Sequence, residues 1–215
     1  MNNELLTRIL SSLVIIPIVS FFIIKGSIFF NFFILVLLFI TLYEWHYLSV
    51  KKVYYLPGIM FVFFSLYTFY ILRNEEDYTF FWLIFLICIA TDLGGYIFGK
   101  ILKGPKLTKI SPNKTYAGML GGFLLSIIFA NIYLNNLTFF SLENTDKEMG
   151  VKIMFIVLSI SFISQVGDLI ISFFKRKSKI KNTGKIIPGH GGILDRIDGM
   201  IFAFPYSFIL IKIVQ

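Results

Sequence analysis

Long apolar stretches alternate with short polar ones along this chain, and the alternation predicts membrane-crossing helices rather than a soluble core. The apolar segments run approximately over residues 5–24, 28–48, 54–72, 79–98, 116–134, 151–174 and 199–214. Stretches of about 15–23 residues, rising ~1.5 Å per residue in a helix, match a hydrocarbon core of ~30 Å. The expected fold is therefore all-α: a polytopic integral membrane helical bundle of about seven spans. The last segment is the shortest, at ~24 Å as a straight helix, and contains Pro205 and Lys212, so it either tilts little or crosses only with Lys212 snorkelling. A glycine-rich stretch before it is read as a re-entrant loop. The whole of 1–215 forms one transmembrane domain, with N-terminal spans to about residue 90 and a more polar part over about 91–215.

Composition agrees with lipid as the solvent. The chain is 57% hydrophobic, with 26 Phe and only 15% charged residues, where soluble proteins have roughly 45–50% apolar and about 25% charged. Cys88 sits between Ile87 and Ile89, with no partner for a disulfide and no metal-ligand spacing, and is read as a packing residue. The first apolar segment shows no small-residue cleavage pattern, so the N-terminus is taken as the mature one. Neither repeats nor low-complexity segments are evident.

Charge orients the bundle. With the N-terminus in the cytoplasm, fifteen of the 20 basic residues fall in the inside segments: Arg8; Lys51 and Lys52; Lys100, Lys103, Lys106, Lys109 and Lys114; Lys175, Arg176, Lys177, Lys179, Lys181, Lys185 and Arg196. Lys25, Arg73, Lys147, Lys152 and Lys212 fall outside, as do the acidic segments Glu75–Asp77 and Glu143–Glu148. This follows the positive-inside rule. The net charge of +8 suits anionic headgroups or a polyphosphate. No nucleic-acid partner is expected, because exposed aromatics interleaved with the basic residues on a soluble fold are missing.

Three acids lie within or at the edge of spans: Glu44, Asp92 and Asp168. Each costs about 2.5–3.5 kcal/mol near a bilayer centre, so each should face a bundle interior or polar cavity. A buried ion pair or headgroup-level position is the plainer alternative, as strong as the site reading for Glu44, beside Trp45 and His46 near a span end, weaker for Asp92 and weakest for Asp168. Gly94, Gly95 and Gly99 follow Asp92 and permit close approach of a helix or a ligand. Asp195 and Asp198 stand at i and i+3, on one face of a helix. Paired carboxylates can hold Mg²⁺ together with substrate phosphates and water, and Arg196 between them can grip a phosphate bidentately. Acids enriched at a helix N-terminus are the plainer explanation.

Just upstream, Gly189, Gly191 and Gly192 surround His190. Such glycines permit positive φ and an anion-binding nest of free N–H groups, with His190 as a further donor. A second polar cluster, Ser111-Pro112-Asn113-Lys114-Thr115, opens a span on the same face and looks like a phosphate-binding corner at a helix start. Positive-inside charge accounts for most of the remaining lysines.

The run SFFKRKSKIKNTGKIIPGHGGILDRID, residues 172–198, resembles the signature of the phosphatidate cytidylyltransferase (CDP-diacylglycerol synthase) family. Ser172, Lys175, Arg176, Lys181, Pro188, Gly189, His190, Gly191, Gly192, Asp195, Arg196 and Asp198 match it, and ATDLGGYIFGK and ISPNKTYAGMLGG are similar to two further family landmarks. Asn182 departs from the pattern where the family has Asp, and Tyr116-Ala117 replaces a common Trp-Glu. The chain is also shorter than many relatives, as if an N-terminal span or two were absent. The resemblance implies reaction of phosphatidic acid with CTP to give CDP-diacylglycerol and pyrophosphate. It also implies Mg²⁺ with a second metal such as K⁺, a homodimer, and a bacterial-type inner membrane with the active site facing the cytoplasm. On that basis Asp168, Asp195 and Asp198 are the expected metal ligands. Lys175, Arg176, Lys181, His190 and Arg196 are the expected catalytic set, and Ser111, Lys114, Thr115, Ser172, Gly189, Gly191 and Gly192 the phosphate contacts. Asp92 is a supporting candidate.

Rival readings are weaker. Asp195-Arg196-Ile197-Asp198-Gly199 mimics the start of a CDP-alcohol phosphatidyltransferase motif, but no acid follows Asp198. An ion-coupled transporter also places acids in broken spans, yet calls for inverted-repeat halves that the uneven polar residues do not form. A catalytically inactive homologue is the third alternative, suggested by Asn182 and Ala117.

Overall fold

Apolar runs in a medium without water must satisfy their backbone internally, which favours helices throughout. The computed structural model describes residues 3–76, 78–138, 147–187, 189 and 191–214. In chain order the helices are α1 (Asn3–Lys25), α2 (Ser27–Ser49), α3 (Tyr55–Asn74), α4 (Tyr78–Leu102), α5 (Tyr116–Thr138), α6 (Lys147–Lys177), α7 (Leu194–Ile197) and α8 (Met200–Val214). The described residues contain no named strand, only isolated antiparallel bridges joining Lys106 to Thr115 and Ile187 to Gly191. Asp77, Glu143 and Asp146 of the acidic segments, and Pro188 and His190 of the glycine loop, lie outside the described residues.

Five helical stretches are long and apolar enough to cross a membrane: Ser27–Ser49, Tyr55–Asn74, Tyr78–Leu102, Tyr116–Asn135 and Gly150–Lys177. Among the described residues, Leu13–Lys25 of α1 and Met200–Ile213 of α8 form shorter apolar stretches. Each of the seven apolar segments thus falls on a helix, and among the described residues five of these helices are long and apolar enough to span. Large apolar side chains such as Ile28, Phe39 and Met60 point outward, as expected where lipid surrounds the bundle.

Aromatic packing holds the middle. Phe69 of α3 stacks on Phe204 of α8 at 3.7 Å between ring centroids, and Phe81 of α4 meets Phe30 of α2 edge-on at 5.8 Å. Between α4 and α5 the spacing is set by glycine: a methyl group on Gly94 would strike the backbone of Gly121 and Gly122. The buried hydroxyls of Thr91 and Ser161 bond at 2.7 Å and tie α4 to α6. In α8, Pro205 has no N–H to offer the carbonyl of Ile201 one turn back. Ser65 of α3 supplies the missing donor, its hydroxyl bonding Ile201 O at 2.8 Å.

Both polar loops, 103–115 and 178–193, emerge at the same end of the bundle. There the Ser178 hydroxyl donates to Leu48 O at 2.6 Å, and Trp45 Nε1 donates to Tyr55 O at 3.1 Å. At the opposite end Arg73 Nε caps α1 at Ile23 O, 2.8 Å away, with its guanidinium 4.3 Å from the Tyr78 ring. Lys212 pairs with Glu76 at that end, at 2.6 Å.

Candidate active site

The last turns of α6 place Asp168, Ser172 and Lys175 at i, i+4 and i+7, hence on one helix face. The Ser172 hydroxyl donates to Asp168 Oδ1 at 3.3 Å, and the other Asp168 oxygen pairs with Lys114, delivered by the loop before α5. Further along, Lys175 Nζ donates to Asp195 Oδ1 at 2.9 Å and lies 4.0 Å from Asp198 Oδ2. The Lys175 and Asp195 side chains are only 11% and 6% exposed, so this ion pair is largely desolvated. The i, i+3 spacing of Asp195 and Asp198 does put both acids on one lysine.

Close backbone approach explains why α6 meets the start of α8. A methyl on Gly167 would come 2.6 Å from the Phe202 ring and 2.9 Å from Asp198 O, and one on Gly199 would strike Ser164. The contact brings Asp198 within hydrogen-bonding reach of Asp168. Burial first, then the carboxylates of Asp168 and Asp92, push Asp198 well above the usual carboxylate range, with Lys175 opposing. Asp92, from α4, stands within electrostatic range of Asp168, Lys114 and Arg196.

The glycine loop is built differently from an open nest. Gly189 and Gly191 do take positive φ, 76° and 91°. Yet the Gly191 amide donates to Ile187 O at 3.1 Å, the Gly192 amide to Asp195 Oδ2 at 3.0 Å and the Thr183 amide to the same oxygen at 2.8 Å. The amides expected to be free for phosphate at Gly191 and Gly192 are therefore already bonded within the protein, because the Asp195 carboxylate and the Ile187–Gly191 bridge take them up. Thr115 likewise caps α5, its hydroxyl accepting the Gly118 amide at 3.1 Å. Ser111 lies in the turn ahead of it, where its carbonyl accepts the Lys114 amide at 3.0 Å.

Arg176, Lys181 and Arg196 are exposed around the cluster, with Arg176 Nε directed at Ile110 O, 3.4 Å away. Asn182 packs its Cβ and Cγ 3.2 Å from where a Gly191 side chain would begin. His190 lies outside the described residues. Among the described residues, no three His, Cys, Asp or Glu side chains are grouped closely enough to hold a metal ion unaided. The Asp168–Asp198 pair still fits Mg²⁺: two carboxylates within hydrogen-bond reach need a proton or cation between them, and Mg²⁺ takes one or two carboxylates plus phosphates and water.

The sequence matches the cytidylyltransferase family over residues 50–214, more than three-quarters of the chain. The chain belongs to this family. Curated proteins similar to it are named phosphatidate cytidylyltransferase. That of Brucella suis biovar 1 (strain 1330) is 37% identical over 149 residues, covering 68% of this chain and 52% of the relative. That of Staphylococcus aureus (strain COL) is 43% identical over 131 residues, covering 59% and 46%. That of Staphylococcus haemolyticus (strain JCSC1435) is 41% identical over 129 residues, again covering 59% and 46%. The chain thus spans about half the length of the curated relatives it matches. Within the family match lie Asp92, Lys114, Asp168, Lys175, Thr183, Asp195 and Asp198. Glu44, which also reaches this cluster, lies just ahead of it.

Two participants were not evident as such from sequence. Thr183 carries no motif signal of its own. Glu44 stood out as an acid in a span, but its partners are about 140–150 positions away.

Proposed function

We propose that this chain is a phosphatidate cytidylyltransferase, joining CTP and phosphatidic acid into CDP-diacylglycerol and pyrophosphate. The observation that carries the reading is the convergence of three separated segments at one end of a membrane bundle. Lys114 comes from one loop, Asp168 and Lys175 from the end of α6, and Asp195 and Asp198 from the segment before α8. The relatives named above supply the substrates, and a site at a bundle end suits one lipid and one water-soluble substrate.

Phosphatidate already carries a nucleophilic phosphate oxygen, so no Ser-His-Asp arrangement or activated thiol is needed. That oxygen attacks the α-phosphorus of CTP, the bond to the bridging oxygen of the β-phosphate breaks, and pyrophosphate leaves with the electron pair. Arg176, Lys181 and Arg196, exposed at the rim, gather the two polyanions and offset charge as it moves onto pyrophosphate. Lys114 and Lys175 neutralise the carboxylates and keep them aligned. Asp168 and Asp198 would hold Mg²⁺, which supplies charge neutralisation for the polyphosphate; Asp195 instead organises the loop. A second ion such as K⁺, a homodimer and seven crossings with the site facing the cytoplasm complete the proposal.

The test is purified full chain with labelled CTP, phosphatidic acid and Mg²⁺, beside Asp198→Asn. Product from the parent protein and its loss in the variant support the reading; no CDP-diacylglycerol across a range of lipid and salt conditions overturns it. For orientation, Lys181→Cys in a Cys88→Ser background should label only from the cytoplasmic side of intact cells, and external labelling would reverse the topology. Mass measurement in detergent decides the dimer.

A further inference from the structure

Glu44 is fully buried, with 0% exposure, near the C-terminal end of α2. Its carboxylate reaches across to the loop before α8, not to a neighbouring turn. Oε2 accepts the Thr183 hydroxyl at 2.7 Å and the Leu194 amide at 2.8 Å; Oε1 accepts the Ile193 amide at 2.9 Å. Among the described residues no basic side chain forms an ion pair with it. Space for it exists only because two glycines face it: a methyl on Gly184 would come 2.6 Å from Oε1, and one on Gly192 would strike both Glu44 and Thr183.

Thr183 joins this carboxylate to the lysine-bound one. Its hydroxyl serves Glu44 while its amide serves Asp195 Oδ2, and Asp195 Oδ1 holds Lys175. The two acids together take up four backbone amides (Thr183, Gly192, Ile193 and Leu194) and so close the loop upon itself. An intramembrane carboxylate is expensive and should earn its place through specific partners. Among the described residues, its partners all belong to the segment that presents Lys181 and leads into Arg196.

We propose that Glu44 is a positioning residue of the active site: a clamp from α2 that fixes Thr183 and residues 192–194, and through Thr183 the Lys175–Asp195 pair, in the geometry that receives the CTP phosphates. The CTP part rests on the cytidylyltransferase reading above; the clamp itself does not. Glu44→Gln is the informative change. It keeps size, but one oxygen becomes an N–H₂ group facing groups that are themselves donors, whereas Glu44→Asp keeps two acceptor oxygens on a shorter stem.

Two measurements on the full chain in detergent test the proposal. In hydrogen exchange, Glu44→Gln should accelerate the amides of residues 192–194 while those of α4 and α5 keep their protection. Unchanged exchange at 192–194, or equal loss throughout the bundle, overturns the clamp. In kinetics, Glu44→Gln should raise the KM for CTP and lower kcat/KM by about tenfold to a hundredfold, as for a displaced substrate contact. Glu44→Asp should recover part of that loss. Less folded protein would lower kcat and leave KM alone, so an unmoved KM, or no recovery with Asp, overturns the positioning role. If the parent protein makes no CDP-diacylglycerol, the function fails while the exchange experiment still decides the clamp.

Discussion

Ser65 and Pro205 form a pair whose coupling can be measured. Pro205 leaves the Ile201 carbonyl without its helical donor, in a bundle interior where no water can replace it. The Ser65 hydroxyl, itself fully buried, fills that vacancy at 2.8 Å. Removing it by Ser65→Ala strands a buried carbonyl, a loss of about 1–3 kcal/mol in a soluble core. Interhelical hydrogen bonds within membranes average about 0.6 and reach about 1.7 kcal/mol, and because Pro205 leaves Ile201 O without its helical donor this one falls toward the upper end, at about 1.5 kcal/mol. In a Pro205→Ala background the restored amide serves Ile201 O, and Ser65→Ala should then cost about 0.5 kcal/mol or less. The assay is reversible unfolding of all four proteins in mixed detergent micelles, read as a double-mutant cycle. Equal costs of Ser65→Ala in both backgrounds would refute the reasoning, since Ser65 would then be acting through something other than the gap left by Pro205. The pair also bears on the site, because it fixes α8 to α3 a few residues beyond Asp198.

Three further outcomes are expected. Gly94→Ala should destabilise the bundle by about 2 kcal/mol or more through collision with backbone that has no rotamer to yield, whereas Gly95→Ala, whose nearest new neighbour is Gly118 O at 3.9 Å, should leave the unfolding midpoint nearly unchanged. Lys175→Met should abolish most activity and cost about 3 kcal/mol or more, because it strands the nearly buried Asp195 carboxylate; activity above a tenth of the parent's would argue against Lys175 as the pivot. Arg73→Lys keeps the charge but loses the planar group that caps Ile23 O and lies on Tyr78, and should lower stability by about 1 kcal/mol in the same unfolding assay without altering CTP turnover.

The helices were legible because lipid leaves little choice: apolar runs of spanning length read directly as α2 to α6. The site was legible in part for a chemical reason, since Asp168, Lys175, Asp195 and Asp198 are charges that a membrane protein carries only where they meet partners. Their partners were not legible. Lys114 meets Asp168 from a loop more than fifty positions upstream, and nothing in the spacing of Gly167 and Gly199 announces that these two glycines let α6 and α8 touch. The glycine loop misled for a related reason. Gly189 and Gly191 do adopt the positive φ that glycine allows, but whether an amide is free depends on which acceptor reaches it, and here the Ile187 carbonyl takes the Gly191 amide and Asp195 the Gly192 amide.

That outcome changes what the glycines at 191 and 192 are for. In an open nest they would be needed to bare amides toward a phosphate. Here Gly184 and Gly192 are needed because Glu44 occupies the space a side chain would fill, and Gly191 because Asp195 and Asn182 press on it at positive φ. Two carboxylates thus hold Thr183 and residues 192–194 from within, while Lys181 and Arg196 are exposed. A polyanion approaching this end of the bundle meets cationic side chains held on an acid-clamped scaffold. The acids need not touch it, except where Asp168 and Asp198 lie close enough to share a cation.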